Sequence, residues 1–497
     1  MRSLSIQLSS SFETPLYLQL ADALRSAIRS GAYPDGQRLP SIRRLADQAG
    51  VNPATAVSAY RILEKEGWVE ARAGSGVYAR AAGGGLAEAS RRTDASAETG
   101  NPFAQEEALS ELSAGKVLVP PGVLDMAAGA PSPALFPTEE FKALLNEVMD
   151  RDGGWAFGYQ ESAGWPPFRE AIAAYLNTAH GLRADASDIR VVSGAQQGID
   201  LAAKALLGPR DAVAVESPTY RGALAVFWSR GAETPGIPID RDGMDPEALE
   251  RVIRARRPRL VYVIPRYQNP TTVCWSAERM RALLAFAARY DFYVLEDDLL
   301  SDLSYGPRRE PTCLKAMDAD DRVIYVRGFS KVLMPGLRLG AVIVPRALRD
   351  RFEAAKRATD ISTDGLTQRA LDLYLRRGLH RAQLDRLRRH YGAVYGAAVS
   401  VAQELRPLGI GFDPPEGGLH LWLTLPPSVT GRELRRACLA RSCAIVPEAV
   451  YGAEGGADSH VRVSLAALTA EEAARGVRLI GEALSDLHRH GGERPLL

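Results

Sequence analysis

Residues 81–118 constrain the chain more than any other stretch. The run ARAAGGGLAEASRRTDASAETGNP is built of Gly, Ala, Ser, Thr and charged residues, with almost no large apolar side chain. Such a segment cannot bury enough surface to offset its ordering entropy, so it reads as a linker, interrupted at most by the weakly helical piece FAQEEALSELSAG. The chain must therefore build two units with separate cores. One is a small domain over 12–80; the other is a large one over 119–488, with a smaller α+β subdomain from about 370. No internal repeat is visible.

The totals exclude several classes. Hydrophobic residues make up 46% and charged residues 24%, the balance of a folded, soluble protein. No stretch approaches the roughly 18 apolar residues of a membrane helix, and no apolar run follows Arg2 as in a secretory signal. A cytoplasmic protein without membrane contact is expected. Cys274, Cys313, Cys438 and Cys443 have no CxxC spacing, and the seven His form no HExxH. These read as reduced thiols, with no metal site. Residues 1–80 carry ten Lys/Arg against seven Asp/Glu, weak support for a module that meets phosphate backbones.

Within that module, PLYLQLADALRSAIRS places Leu16, Leu20, Leu24 and Ile28 on one helical stripe, with Pro15 at its start and Gly31 at its end. Ser41 is placed to cap a short helix carrying Ile42, Leu45 and Ala46, which Gly50 ends. Asn52 and Pro53 then open a helix to about Glu66, expected to bury Val57, Leu63 and part of Tyr60. Two helices across a tight Gly turn form a helix-turn-helix, whose second helix enters the major groove of double-stranded DNA. Short side chains at Ala54, Thr55 and Ser58 allow close approach to base edges. Arg38, Arg43 and Arg44 are candidates for phosphate or base contacts, and WVEARAGSGVYAR predicts a hairpin wing around Gly74 and Gly76. An ordinary helical bundle with surface arginines would share much of this pattern. The string PLYLQ…GAYPDGQRLPSIRRLA…EKEGWVEARAGSGVYA, however, closely resembles the winged helix-turn-helix of the GntR family, which implies operator binding.

From about residue 122, apolar strands alternate with amphipathic helices. IRVVSG, AVAVES, LVYVIP, FYVLEDD, VIYVRGF and LGAVIVP are the strand candidates; EALERVIRARR and AERMRALLAFAARY are helices. That alternation predicts an α/β fold with a mostly parallel, doubly covered central sheet and function at the strand ends. Ser193, Gly194, Ala195 and Gln196 open a helix after a strand, a turn suited to phosphate. Tyr220 follows the next strand, where a ring could cover a flat ligand; Asn269 precedes a Pro. Asp297 and Asp298 end a buried strand, and one of them could keep a ring nitrogen protonated. Lys331, in SKVLMPGLRLG, is followed by Arg338; a Lys at an apolar loop can lose its proton and condense with an aldehyde. Singly, each is more often a structural turn, a packing ring or a surface charge.

Taken in order and spacing, they resemble the fold-type I aminotransferases over about 122–485. The resemblance implies pyridoxal 5'-phosphate held as a Schiff base on Lys331. It implies Asp297 on the pyridine nitrogen, Asn269 on the ring hydroxyl and Tyr220 stacked on the ring, with Arg338, Ser193, Ala195 and Gln196 around the phosphate. Arg462, in HVRVSLA, matches the arginine that grips a substrate carboxylate, and Tyr159 matches the tyrosine that reaches the neighbouring subunit's phosphate in a domain-swapped homodimer. A GntR-type head on such a body resembles the MocR family of bacterial regulators. Three features depart from the pattern: Leu299 and Leu300 stand where relatives carry a Tyr, Gly328 where Ser or Thr is usual, and Thr272 where Gly follows the NPT motif. The missing phenol argues for a regulator that senses a small amino compound, or the cofactor itself, over the alternative of an active aminotransferase with a DNA-binding appendage.

Overall fold

The computed structural model describes residues 16–29, 33–34, 36–65, 68–72, 76–79, 122–306, 313–452 and 458–491. The linker over 81–118, its helical piece, and the expected end markers Pro15, Gly31 and Gly74 lie outside the described residues. The chain divides into two compact units, split at Gly100.

The first unit has three helices, α1 (Leu16–Arg29), α2 (Ile42–Ala49) and α3 (Pro53–Lys65), and two strands, β1 (Val69–Arg72) and β2 (Gly76–Ala79). Leu20, Leu24 and Ile28 bury one stripe of α1 against Leu45, Ala46, Ala59, Tyr60 and Leu63. Ser41 caps α2 by accepting from the Arg44 amide at 3.4 Å, and Gly50 ends it in the left-handed region at φ 64°. Two apolar positions differ from expectation. Ile42 is 38% exposed, and Val57 is only partly covered, because Ala56 and Ala59 rather than Val57 lie on the stripe of α3 that meets the core. Tyr60 is buried and donates from its hydroxyl to the Pro40 carbonyl at 2.6 Å. The antiparallel pair β1–β2 forms the wing.

The second unit centres on an eight-stranded sheet. Its strands are β4 (Ile189–Val192), β5 (Val213–Ser217), β6 (Gly236–Asp240), β7 (Gly243–Met244), β8 (Leu260–Val263), β9 (Tyr293–Asp298), β10 (Val323–Gly328) and β11 (Gly340–Ile343), preceded by the short β3 (Leu124–Asp125). They lie in the order β4-β11-β10-β9-β8-β5-β6-β7, with β11 and β7 antiparallel to their neighbours and the rest parallel. Side chains alternate between two covered faces. Val191, Tyr325 and Ala341 join a core with the helices Pro166–His180 and Gly365–Arg376; Val192, Val326 and Val342 join another with Ala195–Leu206. Burial on both sides explains why these strands are nearly continuous apolar runs.

A separate core is built around a three-stranded sheet of β12 (His420–Thr424), β15 (His460–Ser464) and β14 (Val446–Pro447). The strand β13 (Cys443–Ala444) pairs in parallel with β3, which ties the start of the unit to this core. Among the described residues no helix is long and apolar enough to cross a membrane, and none of the four cysteines forms a disulfide.

Candidate functional site

Ser193, Asp297 and Lys331 stand at or just beyond the ends of strands of the central sheet, and Tyr220, Asn269 and Arg338 lie on its connecting loops, whereas Arg462 lies within β15 of the smaller sheet. After β4 the chain turns through Gly194, φ 86°, into the helix Ala195–Leu206. A Cβ on Gly194 would stand 2.8 Å from Arg338 Nη2, so only glycine lets the guanidinium lie over this turn. Arg338 donates from Nη2 to the Ser193 carbonyl at 2.8 Å, and the Ser193 amide is taken by Gln197 Oε1 at 2.6 Å. Gln196 donates to the Gly222 carbonyl at 2.8 Å and accepts from the Tyr220 hydroxyl at 3.2 Å. The Tyr220 ring lies directly over Gly222, where a Cβ would come within 2.4 Å.

Lys331 follows β10 and donates to the Gly129 carbonyl at 2.6 Å. Burial, then the Arg462 and Arg338 cations, lower its pKa to about 8 despite the opposing Asp297 charge. Asp297, at the end of β9, is buried; Oδ2 accepts from the Tyr262 hydroxyl at 2.8 Å. Its Oδ1 has no hydrogen-bond partner among the described residues. Burial raises its carboxyl to about 7, against the Tyr262 hydrogen bond. Arg462, on β15, donates to Asn269 Oδ1 at 3.0 Å and to the Ala127 carbonyl at 2.6 Å, and lies over the Tyr451 ring at 5.3 Å.

Lys331, Asp297, Arg338 and Arg462 thus share one field, and Tyr220 feels Asp297, Arg462 and Arg338. Tyr159 is not brought to them within one chain; it is 86% exposed, beside the exposed Trp155 and Phe157. The three departures also have a structural reading. Gly328 and Leu299 are complementary, since a Cβ on Gly328 would meet Leu299 Cδ2 at 2.9 Å. Leu300 is packed in the core. Thr272 adopts φ 67°, the conformation that glycine takes most easily, here held by its amide donating to the Gln268 carbonyl at 2.7 Å. In the first unit, Arg38 and Ser41 are exposed and Thr55 is half-buried on the first turn of α3; Gly76 opens β2. The side chains of Arg43 and Ser58 lie outside the described residues.

Several contributors were not legible beforehand. Tyr262 hid in the apolar run LVYVIP, although a tyrosine in a fully buried strand needs a hydroxyl partner. Glu216, ending AVAVES, is buried and braces the Asn269 loop: it accepts from the Ile264 amide at 3.0 Å, Gln268 Nε2 at 3.1 Å and Trp275 Nε1 at 3.0 Å. Burial pushes it up to about 7. Gly129 gave no signal, because only its carbonyl is used.

Fold and site together define a fold-type I transferase domain, and the first unit a winged helix-turn-helix. The family model of aminotransferase class I and II matches residues 121–480, and that of the gntR family of bacterial regulatory proteins matches residues 16–79. The chain therefore belongs to the class I and II aminotransferases, with a GntR domain at its N-terminal side, the architecture of the MocR-type regulators. It is 27% identical to the uncharacterized HTH-type transcriptional regulator YdfD of Bacillus subtilis, over 95% of this chain and 97% of that one. It is 29% identical to the probable rhizopine catabolism regulatory protein MocR of Rhizobium meliloti, over 82% and 81%. Among solved structures it resembles the alpha-aminoadipate aminotransferase LysN of Thermus thermophilus, complexed with N-(5'-phosphopyridoxyl)-L-leucine. The TM-score is 0.71 at 30% identity, covering 79% of this chain and 98% of that one.

Proposed function

We propose that this chain is a DNA-binding transcription regulator whose large domain holds pyridoxal 5'-phosphate on Lys331 and senses a carboxylated amino compound. One observation carries the reading: the buried Asp297 Oδ1 lacks a partner among the described residues, in the field of a lysine whose amine is lowered to about 8. A buried acceptor without a donor costs free energy, and a protonated pyridine nitrogen is a donor that would satisfy it. The Gly194 turn, clear of any Cβ beneath Arg338, fits the phosphate; Ala195 and Gln196 start the helix there, with Ser193 just before it. Asn269 would hold the ring hydroxyl and Tyr220 would cover the ring.

Bound pyridoxal phosphate supplies an aldehyde that a lysine or a ligand amine can take. The protein's own groups do the rest. Lys331 has lost enough basicity to be a free amine in an appreciable fraction of molecules near neutral pH. Asp297 holds a proton on the ring nitrogen, and Arg462 orients the ligand through its carboxylate. The exposed Tyr159, beside Trp155 and Phe157, would meet a second copy of the chain and help hold that copy's cofactor phosphate in a domain-swapped homodimer. Two heads per dimer then read two operator half-sites, with Arg38, Arg43 and Arg44 on phosphates or bases, Ser41 and Gly76 near the backbone, and Thr55 and Ser58 at base edges. Binding of the amino compound at Arg462 and Lys331 would shift the large domain between conformations and so alter DNA binding.

The second reading is an active aminotransferase with a DNA-binding appendage, favoured by the complete set of Lys331, Asp297 and Arg462. Leu299 and Leu300, in place of a phenol, weigh against it. Lys331→Ala decides between sensing through this lysine and a body that only dimerises. The variant should lose the cofactor absorbance and bind operator with an affinity that amines no longer change. An effector response equal to that of the parent would refute the proposal.

A further inference from the structure

The three-stranded sheet sends Leu421, Leu423, Val461 and Val463 into the smaller core. Strand alternation therefore places His420, Trp422, Arg462 and Ser464 on its opposite face, where Trp422 pairs with Arg462 and His420 with Ser464. His420 is 5% exposed, and its Nδ1 is buried with no hydrogen-bond partner among the described residues. Burial, then Arg462 and Lys331, hold its pKa well below the usual imidazole value, against an opposing interaction with the Leu419 backbone. The ring is neutral, with one donor and one acceptor nitrogen.

A buried polar atom kept without a partner marks a place where a ligand atom belongs. An apolar side chain here would continue the packing of the face at no such cost. His420 and Arg462 are diagonal neighbours on adjacent antiparallel strands, about 7–8 Å apart, so the His420 ring is within side-chain reach of a ligand gripped at Arg462. We propose that His420 is a specificity-determining residue that accepts a hydrogen bond from an O–H or N–H on the side chain of the amino compound held by Arg462. The inference rests on the sensing role assigned to Lys331 and Arg462. It narrows the effector to amino acids with a second donor two or three bonds from the α-carbon. Sites built to pair a ligand hydroxyl reject the isostere that lacks it, because their own polar atom is then left unsatisfied.

L-Homoserine and L-norvaline differ by a hydroxyl for a methyl. The full chain loaded with pyridoxal phosphate is titrated with each, following the cofactor absorbance. Homoserine should bind about tenfold more tightly. H420F should bring the ratio to about one by weakening homoserine, and H420Q, which keeps an acceptor, should retain a preference. Equal affinities in the parent protein, or a preference that survives in H420F, would overturn the role of His420 while leaving the sensing role intact. A loaded protein whose absorbance responds to neither compound would overturn both.

Discussion

Asp297 and Asp298 are neighbours at the end of one strand, yet the two faces of the sheet give them opposite chemistry. Asp298 turns toward Arg327, whose Nη1 lies 3.0 Å from its Oδ1; the Tyr325 and Ser301 hydroxyls donate to its Oδ2 at 2.5 and 2.7 Å. Arg327 also pairs with Asp302, which accepts from the Tyr175 hydroxyl and lies 3.3 Å from His180 Nε2. These partners overcome the burial of Asp298 and hold its carboxyl below the usual range. Asp297 is equally buried, has one hydroxyl donor, and is pushed up to about 7. Burial alone does not make a site. What distinguishes the functional face is a polar valence that the fold leaves open at Asp297, whereas on the other face Asp298 is closed by a cation and hydroxyls and Glu296 by the Leu314 and Lys315 amides at 2.7 and 2.8 Å.

The contrast is broken most forcefully by Arg327→Met. Two buried carboxylates would lose their cation, and stability should fall by about 3–5 kcal/mol, measured by denaturant unfolding. If the variant is as stable as the parent, the network is not the internal support described here. Asp297→Asn should behave oppositely. A carboxyl raised above its unfolded value disfavours the folded state increasingly as pH rises from about 4 toward 7. Without cofactor at pH 8 the amide should therefore be neutral to stabilising, by on the order of 1–2 kcal/mol, while pyridoxal phosphate affinity drops about 10- to 100-fold. Destabilisation as large as that of Arg327→Met would erase the distinction between the faces.

The lowered amine sharpens it further. Pyridoxal phosphate capture should quicken with pH up to about 8 and then level off. Stopped-flow absorbance that keeps rising toward the ordinary lysine value of 10.5 would mean Lys331 is not held as described. The smallest effect is expected for Gly328→Ser. The added Cβ clashes with the far end of Leu299, which can rotate away at a cost of about 1 kcal/mol or less, and touches the Ala195 Cβ at an ordinary 3.4 Å. The new hydroxyl should slow cofactor dissociation a few-fold; a grossly misfolded product would show that the Leu299–Gly328 contact is rigid.

Much of this was legible along the chain. Strand ends marked Lys331, Asp297, Asn269 and Tyr220 because buried parallel strands read as apolar runs that stop abruptly at polar residues. Helix ends at Ser41 and Gly50 were legible because capping is a local matter of one side chain and one backbone conformation. Val57 was misjudged because two helical stripes one residue apart cannot be told apart until a partner helix chooses one. Tyr262, Glu216 and Gly129 escaped because their partners come from other strands and loops.

By itself the sequence determined two units, the α/β alternation, and which residue types stand at each strand end, since periodicity and capping act within a few residues. Only the tertiary structure decided that Asp297, not Asp298, keeps an oxygen open, that Leu299 fills the space beside Gly328, and that His420 shares a face with Arg462. Those outcomes depend on strand pairing and on which face each side chain takes, and pairing joins residues tens to hundreds of positions apart.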